Sequence, residues 1–357
     1  MKILVSFANI CRAAVVAAGL LTLYACTGEA RYVSISGYAQ GGTYIVKLDM
    51  GPVERKCGPE KIKAGIDSVL LCVDNSVSGY NKGSLLSRFN SGESVVPDSI
   101  FVDIYNKSYG YYKETDGAVD VAAAPLFDIW GFGFTTDSLP SASEVAETVE
   151  SCGMDRLKPR MEPGKDGRVS PEALLLENVR GPLPSLNYNA VAQGYSCDLV
   201  ADYLKGLGVE DMLVNIGGEI FCSGLNPEGK LWSIGVDRPE DGNNIPGAAL
   251  QGTIEAGPEP CGVVTSGNYR KFYVKDGRKY AHTVDPRTGY PVSHSLLSAT
   301  VIAPDAALAD ALATYCMVIG VEAAKEFIGS EPDIEGYLIY SDGDRMETWA
   351  SDGITVR

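Results

Sequence analysis

The residues best suited to chemistry lie in one stretch near the C-terminal end of the chain. His282, one of only two histidines, lies between two strand-like runs and is followed by a turn at residues 285–289. Further along, Asp310 and Thr314 are four residues apart in a helix-like segment, so their side chains share one face of the helix. Oxygen ligands beside a candidate acid–base histidine suit magnesium-assisted phosphoryl chemistry.

Each of these residues also has a purely structural interpretation. Alone, His282 would be a hydrogen-bonded strand histidine and Asp310 a carboxylate on a helix surface. The neighbours of Asp310 are alanines and a leucine, at positions 309 and 311–313, which indicates a tightly packed helix. Because a carboxylate buried in such a helix requires a partner, the combination favours a functional site.

The elements that must position these residues follow a mixed pattern. Apolar periodicity and end signals predict helices at 60–76, 99–114, 143–152, 191–207 and 305–319. Strands are predicted at 32–36, 43–48, 212–216, 220–222 and 231–236, and a hairpin with loops within 156–184. Region 241–260 shows no motif. Because helices and strands do not alternate strictly, we expect an α+β fold with mixed or antiparallel sheets and packed helices.

The composition is that of a globular protein. The chain has 357 residues, of which 45% are hydrophobic and 21% charged, enough for one large domain or two modest ones. Its net charge of -16 argues against nucleic-acid binding. An anionic ligand remains compatible with this charge, because a metal ion or a helix N-terminus can reverse the local field.

The N-terminus has the pattern of a targeting segment. Basic residues flank an apolar run that is too short to span a bilayer. Residues 23–26 (LYAC) then resemble a bacterial lipobox, although tyrosine at its second position is an imperfect match. We therefore expect a lipoprotein signal peptide at 1–25, lipidation of Cys26 and a single domain from 26 to 357. Simple cleaved secretion and an uncleaved anchor are the alternatives.

The remaining cysteines lack a metal-binding or disulfide pattern. After the leader and Cys26, seven are left without CxxC spacing: Cys57, Cys72, Cys152, Cys197, Cys222, Cys261 and Cys316. An odd number argues against a disulfide framework. We expect buried free thiols, while one or two chance pairs stay open in an oxidising compartment.

Weaker clusters carry further polar or small residues. Tyr80, in a glycine-containing loop, could stack on a flat ring, although, taken alone, an exposed loop tyrosine explains it better. Asp120 lies in a run of small side chains, where it could meet a ligand closely. Asn187 and Gln193 flank a helix entry, where backbone amides favour phosphate. The glycines of the segment 215–219 (NIGGE) fit a tight turn, and no GxGxxG or P-loop is present.

Taken in order, these motifs resemble the ApbE family of FAD:protein FMN transferases. The resemblance runs from about Gly41 to Gly320 and rests on the segments GGTYIVKL, SGYNKGSLLSRFN, GAVDVAAAPLFDIWGFG, NAVAQGYSCD, NIGGEIFCSG, TSGNYRKF, HTVDPRTGYP and ADALAT. It implies a T-fold-like flavin transferase fold. It also implies a reaction in which FAD and Mg²⁺ serve to move FMN onto a threonine hydroxyl of a client protein, releasing AMP.

The resemblance further implies partners and a location. Family clients include subunits of Rnf complexes and sodium-pumping quinone reductases, and secreted flavoproteins. Family members face the bacterial periplasm and are often held to a membrane by lipid, which agrees with the leader. We therefore expect a lipid-anchored protein of the cell envelope.

Site roles follow from the resemblance residue by residue. His282 matches the histidine that activates the acceptor hydroxyl. Magnesium ligands would be the side chains of Asp310 and Thr314 and the backbone carbonyl of Ala190. FAD-contacting positions would be Gly41, Tyr80, Ala118, Val119, Asp120, Asn187, Gln193 and the backbone at Val284.

Two departures from the family pattern keep other functions open. Asn187 stands where many relatives carry aspartate, and Gln193 where lysine or glutamate is common. Each change removes a charge and keeps hydrogen-bonding capacity. The alternatives are a lipoprotein that binds FAD or hydrolyses it to FMN and AMP without a client, and a flavin- or solute-binding lipoprotein without enzymatic activity.

Overall fold

The computed structural model describes residues 32–357 apart from 54–56, 133–138, 159, 177–182, 241, 244, 246, 270–271 and 276–277. The predicted signal peptide at 1–25 and the lipidation site Cys26 lie outside the described residues and stay predictions. Within the described residues, no helix combines the length and apolar character needed to cross a membrane.

The helices and strands alternate irregularly along the chain. The helices are α1 (Pro59–Val77), α2 (Leu85–Asn90), α3 (Ser99–Glu114), α4 (Ala124–Ile129), α5 (Ala142–Ser151), α6 (Pro171–Leu174), α7 (Ala192–Leu207), α8 (Ala306–Ile319) and α9 (Val321–Ser330). The strands are β1 (Tyr32–Ala39), β2 (Gly42–Asp49), β3 (Met212–Ile216), β4 (Glu219–Ser223), β5 (Trp232–Asp237), β6 (Leu250–Ala256), β7 (Cys261–Gly267), β8 (Phe272–Lys275), β9 (Arg278–Ala281), β10 (Val284–Asp285), β11 (Tyr290–Pro291), β12 (Leu296–Ala303), β13 (Glu335–Asp342) and β14 (Arg345–Ala350).

Eight of these strands form one sheet in the order β1-β2-β3-β4-β7-β12-β13-β14. Every neighbouring pair in it is antiparallel. The pairs β5–β6, β8–β9 and β10–β11 stand outside the sheet as two-stranded units. The predicted α+β fold with antiparallel sheet and packed helices is confirmed.

Helices cover one face of the sheet, and the β5–β6 pair covers part of the other. In β2, Tyr44, Val46 and Leu48 alternate with exposed residues, and their face packs against α1 and α7. The same face of β7 and β12 packs against α8. On the opposite face, Trp232 and Ile254 of the β5–β6 pair cover β4, β7 and β13. The helices α7 and α8 therefore lie side by side over the centre of the sheet.

The N-terminal turns of α7 and α8 cross at close range. A Cβ atom on Gly194 of α7 would lie 2.2 Å from the carbonyl oxygen of Ala306. One turn later, the carboxylate of Asp198 accepts hydrogen bonds from the backbone of Ala306 at 2.8 Å and of Ala307 at 2.9 Å. Asp198 thus caps α8 from the neighbouring helix α7. Asp305, the residue directly before α8, is its own N-cap.

Most predicted elements are confirmed, and one is wrong. The described part of 156–184 contains no hairpin; instead Leu157 pairs with Leu175 and Val169 with Val95 as isolated bridges, and α6 lies between them. The unassigned region 241–260 contributes strand β6. No pattern predicted helix α9 or the strands β13 and β14. The two strands form one edge of the eight-stranded sheet.

Candidate functional site

One face of α8 contacts both the start of α7 and the end of β7. Asp310 is only 5% exposed, and its Oδ2 accepts a hydrogen bond of 3.2 Å from the backbone N–H of Gly194. One turn further along α8, the hydroxyl of Thr314 lies 3.4 Å from that of Ser266. Asp310 and Thr314 therefore lie on the same face of α8, as their spacing predicts.

Buried negative charge accumulates around Asp310. Burial raises the pKa of its carboxyl well above the usual range, and the nearby carboxylates Glu219 and Asp198 raise it further. The Gly194 N–H opposes these effects by favouring the ionised form. In the described ranges, no lysine or arginine forms an ion pair with Asp310. A cation bound here would relieve the repulsion between these carboxylates.

The turn that precedes α7 contains a backbone carbonyl that accepts no backbone hydrogen bond among the described residues. Both Val191 and Ala192 donate their N–H groups to the carbonyl of Tyr188. Gly194, as the third residue of the helix, has no helical acceptor and donates to the carboxylate of α8 instead. Among the described residues, no backbone N–H donates to the carbonyl of Ala190. Its oxygen therefore remains available as a ligand.

These oxygens fit a hard divalent cation. The described part of the chain holds no group of three or more His, Cys, Asp or Glu side chains arranged for a metal ion. An ion would therefore rely on mixed oxygens: the carboxylate of Asp310, the hydroxyl of Thr314 and the carbonyl of Ala190. Mg²⁺ is typically held by one or two carboxylates together with water and substrate phosphates, which agrees with this donor set.

The tip of the β1–β2 hairpin lies against the same end of α7. Gly41 occupies this tip with a φ of 78°, and the amide of Gln40 beside it donates to the hydroxyl of Ser196. The amide nitrogen of Gln193 lies 2.0 Å from the place that a Cβ on Gly217 would occupy. Gly217 also has a φ of 72°, so only glycine suits this position. Two predicted FAD contacts, Gly41 and Gln193, thus converge there.

The segment 118–120 adjoins the segment that enters α7. The backbone of Asn187 donates to the carbonyl of Val121 at 2.7 Å, and the Asn187 side chain accepts from the backbone of Asn189 at 2.9 Å. Ala118 and Val119 are buried. The structure therefore brings residues 118–120 and Asn187 together as neighbouring loops.

Asp120 opens onto a cavity of about 270 Å³. Burial raises the pKa of this carboxyl to about 7, although hydrogen bonds from the backbone N–H groups of Ala122 and Met154 favour its ionised form. Arg287, from the turn after β10, also lines the cavity. The cavity therefore combines a carboxyl that titrates near neutrality with a guanidinium, and it joins the 118–120 segment to the turn that follows His282.

His282 lies between β9 and β10, with its ring edge-on to that of Phe132 at a centroid separation of 6.5 Å. The next residue, Thr283, donates from its hydroxyl to Asn268 at 2.7 Å. Asn268 directly follows β7, and Ser266 of that strand contacts the hydroxyl on α8. The His282 segment is therefore tied to the strand end that also touches the candidate metal-binding face.

The remaining predicted positions differ in exposure. Val284 is buried in a cluster with Leu126, Trp130 and Val145, so only its backbone is available to a ligand. Tyr80 is 67% exposed, on a loop held to α1 by a hydrogen bond from Asn81 to Asp74. Tyr80 therefore lies on an exposed loop beside α1.

Three residues of the site were not predicted from the sequence. Glu219 acts on Asp310 through charge, Asp198 caps α8, and Ser266 contacts Thr314. Glu219 ends the NIGGE segment, in which the paired glycines indicate only a turn. All three roles depend on contacts between distant parts of the chain, so spacing alone could not reveal them.

Comparison with known proteins agrees with this geometry. The sequence profile of the ApbE family matches residues 37–338. The chain is 34% identical over 326 residues to the FAD:protein FMN transferase of Haemophilus influenzae, covering 89% of each protein. It is 33% identical over 298 residues to that of Escherichia coli K12, covering 82% of this chain and 80% of the relative.

Solved structures give the same result. The fold is similar to the flavin transferase ApbE from Vibrio cholerae, with a TM-score of 0.74 and 31% identity over 90% of this chain and 98% of the other. It is also similar to the Pseudomonas stutzeri flavinyl transferase ApbE in its apo form, with a TM-score of 0.75 and 28% identity over 92% and 96% of the two chains. The chain therefore belongs to the ApbE family.

Proposed function

We propose that this protein transfers FMN from FAD to a client protein, with a threonine hydroxyl as the acceptor, Mg²⁺ as the metal and AMP as the second product. The observation that carries the proposal is the buried carboxylate of Asp310, held by the Gly194 N–H at the start of α7. It shares a helix face with Thr314. A site of this kind suits a ligand that brings both a cation and phosphate groups.

Different groups around this carboxylate would bind different parts of FAD. The backbone N–H groups at the start of α7 form the positive end of a helix dipole and favour a pyrophosphate. Asp310, Thr314 and the carbonyl of Ala190 would hold Mg²⁺, which when bound would neutralise charge on the pyrophosphate. Polar and backbone groups at Gly41, Asn187, Gln193, Val284 and residues 118–120 contact the rest of FAD, and Tyr80 packs on the flavin.

His282 is the base of the proposed reaction. A threonine hydroxyl is a poor nucleophile at neutral pH, and an imidazole is suited to remove its proton. As the proton leaves, the hydroxyl oxygen attacks the phosphorus of the FMN moiety. The bond from that phosphorus to the bridging oxygen breaks, and AMP departs with the bridging oxygen.

The location and clients belong to the same proposal. The predicted lipid on Cys26 would hold the enzyme at a membrane surface facing the periplasm. Clients would be membrane redox subunits of the Rnf or sodium-pumping quinone reductase type, or secreted flavoproteins, each presenting an exposed acceptor threonine.

The deciding experiment combines the purified protein with FAD, MgCl₂ and a client domain that carries a family-type acceptor threonine. Mass spectrometry measures covalent FMN on the client, and chromatography measures AMP and free FMN. We expect one covalent FMN per client and an equal amount of AMP. A client with alanine in place of the threonine is the matched control and should remain unlabelled.

Other outcomes distinguish the alternatives. AMP and free FMN in equal amounts, with several family-type clients unlabelled, would identify an FAD hydrolase. Tight FAD binding without either product would identify a flavin-binding protein. The neutral side chains of Asn187 and Gln193, where relatives carry charge, are the residues to exchange if hydrolysis dominates.

A further inference from the structure

Two of the seven cysteines described by the structure face each other across neighbouring strands. Cys222 of β4 and Cys261 of β7 are direct register partners in the antiparallel sheet. Their sulfur atoms are 3.7 Å apart, although the residues are separated by 39 positions in sequence. Both thiols are free in this state of the protein, as are Cys57, Cys72, Cys152, Cys197 and Cys316.

The backbone geometry at this position already suits a disulfide. Residues directly opposite each other in antiparallel strands have Cα atoms about 4.5–5.5 Å apart. Disulfides span Cα separations of about 4.4–6.8 Å. The side chains need only rotate to bring the sulfur atoms into bonding distance, so the strands can keep their positions.

We infer that Cys222 and Cys261 are a disulfide-forming pair, a covalent modification site that joins β4 to β7 when the folded protein meets a disulfide oxidant. The bond would fix the two strands that lead to the functional site. Strand β4 begins at Glu219, beside the buried carboxylate of α8, and β7 contains Ser266, which contacts Thr314.

The two thiols have different roles in forming this bond. Cys261 is partly exposed, whereas Cys222 is fully buried, so an oxidant meets Cys261 first. The S–H of Cys222 and the backbone near Gly257 lower the pKa of the Cys261 thiol, and the pKa of Cys222 is raised in return. Cys261 is therefore the attacking thiolate, because the thiolate is the nucleophile in thiol–disulfide exchange.

The oxidant in this exchange is itself a disulfide, and it accepts the two electrons that the cysteines lose. The Cys261 thiolate attacks one sulfur of the oxidant, which releases its other sulfur as a thiolate. Cys222 loses its proton and attacks the Cys261 sulfur of the mixed disulfide, releasing the second oxidant thiolate. The oxidant gains two electrons and the two cysteine protons, and leaves as two thiols.

The experiment exposes the reduced, folded protein to glutathione disulfide. The protein is then unfolded in the presence of N-ethylmaleimide, which alkylates every remaining thiol. Trypsin cuts after Lys230, which lies between the two cysteines, so it separates them unless they are linked. We expect two fewer alkylated cysteines than in an untreated sample, and one cross-linked peptide that joins Cys222 to Cys261.

Two variants make the result specific. In Cys261→Ser the cross-linked peptide should disappear, whereas Cys72→Ser, which removes an exposed thiol elsewhere, should leave it unchanged. Full alkylation after oxidation, a glutathione adduct on Cys261 without the cross-link, or a different cysteine pair would overturn the inference.

A thermal measurement tests whether the native sheet accommodates the bond. Closing a loop of this length should raise the unfolding midpoint of the oxidised protein, by on the order of 5 °C. Cys261→Ser should show no difference between oxidised and reduced samples. If the unfolding midpoint falls when the cross-link forms, the native strands do not accommodate the bond, and the inference is overturned.

Discussion

The backbone N–H of Gly194 donates a hydrogen bond of 3.2 Å to the Oδ2 of Asp310. This bond joins the first turn of α7 to the middle of α8 across 116 residues of sequence. It forms only because Gly194 has no side chain: a Cβ there would lie 2.9 Å from that of Asp310. The close crossing of the two helices therefore positions the buried carboxylate.

Replacing this glycine should separate the helices. In Gly194→Ala the added methyl group would lie 2.2 Å from the carbonyl oxygen of Ala306, a backbone atom that cannot move aside without shifting α8. We expect the free energy of unfolding to fall by about 1–3 kcal/mol, as overpacking typically does. The Mg²⁺-dependent activity should fall as well. Urea unfolding and the transfer assay measure both effects.

The control lies on the same helix. Gly206 has no atom within 4 Å of the place its Cβ would occupy, so Gly206→Ala adds a methyl group without a clash. Its free energy of unfolding should stay equal or rise by up to about 1 kcal/mol, because alanine is the better helix former. Equal losses in both variants would contradict the proposed role of the crossing.

A second prediction concerns the charge of Asp310. In the absence of metal, Asp310→Asn should leave the unfolding midpoint unchanged or raise it, because the amide is always neutral, whereas burial and the nearby Glu219 and Asp198 disfavour the ionised form of Asp310. Added MgCl₂ should stabilise the natural protein by mass action and leave the variant unaffected. Thermal unfolding with and without MgCl₂ measures both.

Asp333→Asn, at an exposed position, serves as the control for this charge change and should keep the Mg²⁺-induced shift. An Mg²⁺-induced shift in Asp310→Asn equal to that of the natural protein would exclude Asp310 as a ligand.

The local parts of this site could be predicted from the sequence. The four-residue spacing of Asp310 and Thr314 determines that they share a helix face, and it holds wherever the helix packs. Helices α7 and α8 were predicted because glycine end signals and apolar periodicity are properties of the segment itself. Helix α9 begins directly after Gly320, and a glycine at that place indicates a helix end rather than the start of another helix.

The contacts between segments could not be predicted in this way. Glu219 reaches Asp310 only because the antiparallel order places β4 under the start of α7, and no spacing in the sequence encodes that order. The predicted hairpin in 156–184 failed for the same reason. Leu157 pairs with Leu175 of the same region only as an isolated bridge, whereas Val169 pairs with Val95 outside the region.

The two histidines provide a third prediction, since they differ in surroundings. His282→Ala should lower the transfer rate by about 10²–10⁴-fold, the typical contribution of a general base. FAD should still bind, because the assigned FAD contacts lie at other positions. Stopped-flow or gel-based transfer assays give the rate, and fluorescence titration gives the FAD affinity.

His294 is the structural counterpart. Its Nε2 lies 2.9 Å from the carbonyl of Met317, its Nδ1 accepts from the backbone of Leu296, and burial lowers the pKa of the ring. His294→Gln should therefore cost about 1–3 kcal/mol of stability and leave the rate per folded molecule unchanged. A transfer rate that survives His282→Ala would reject His282 as the base.

The last prediction concerns pH and Asp198. Burial and the neighbouring Asp305 raise the pKa of this carboxyl to about 7, although the N–H groups of Ala306 and Ala307 favour its charge. An unfolded aspartate has a pKa of about 3.9. The folded state therefore binds this proton more tightly. The stability that Asp198 contributes is fully present below pH about 4 and is lost as the pH rises through about 7.

Asp198→Asn should remove this pH dependence. The amide stays neutral at every pH but can accept fewer hydrogen bonds from the start of α8, so the variant should be less stable than the natural protein at pH 5. The difference should shrink by up to roughly 4 kcal/mol between pH 4 and 8, since three pKa units correspond to that free energy. Urea unfolding at each pH measures the difference.

Asp202 lies one turn further along α7 and is exposed, so Asp202→Asn changes the same charge without the burial. Its stability should follow that of the natural protein in parallel across the whole pH range. If Asp198→Asn also runs parallel to the natural protein, Asp198 does not titrate near neutrality in the folded state. The cap on α8 would then be an ionised carboxylate throughout, stabilised by its two backbone hydrogen bonds.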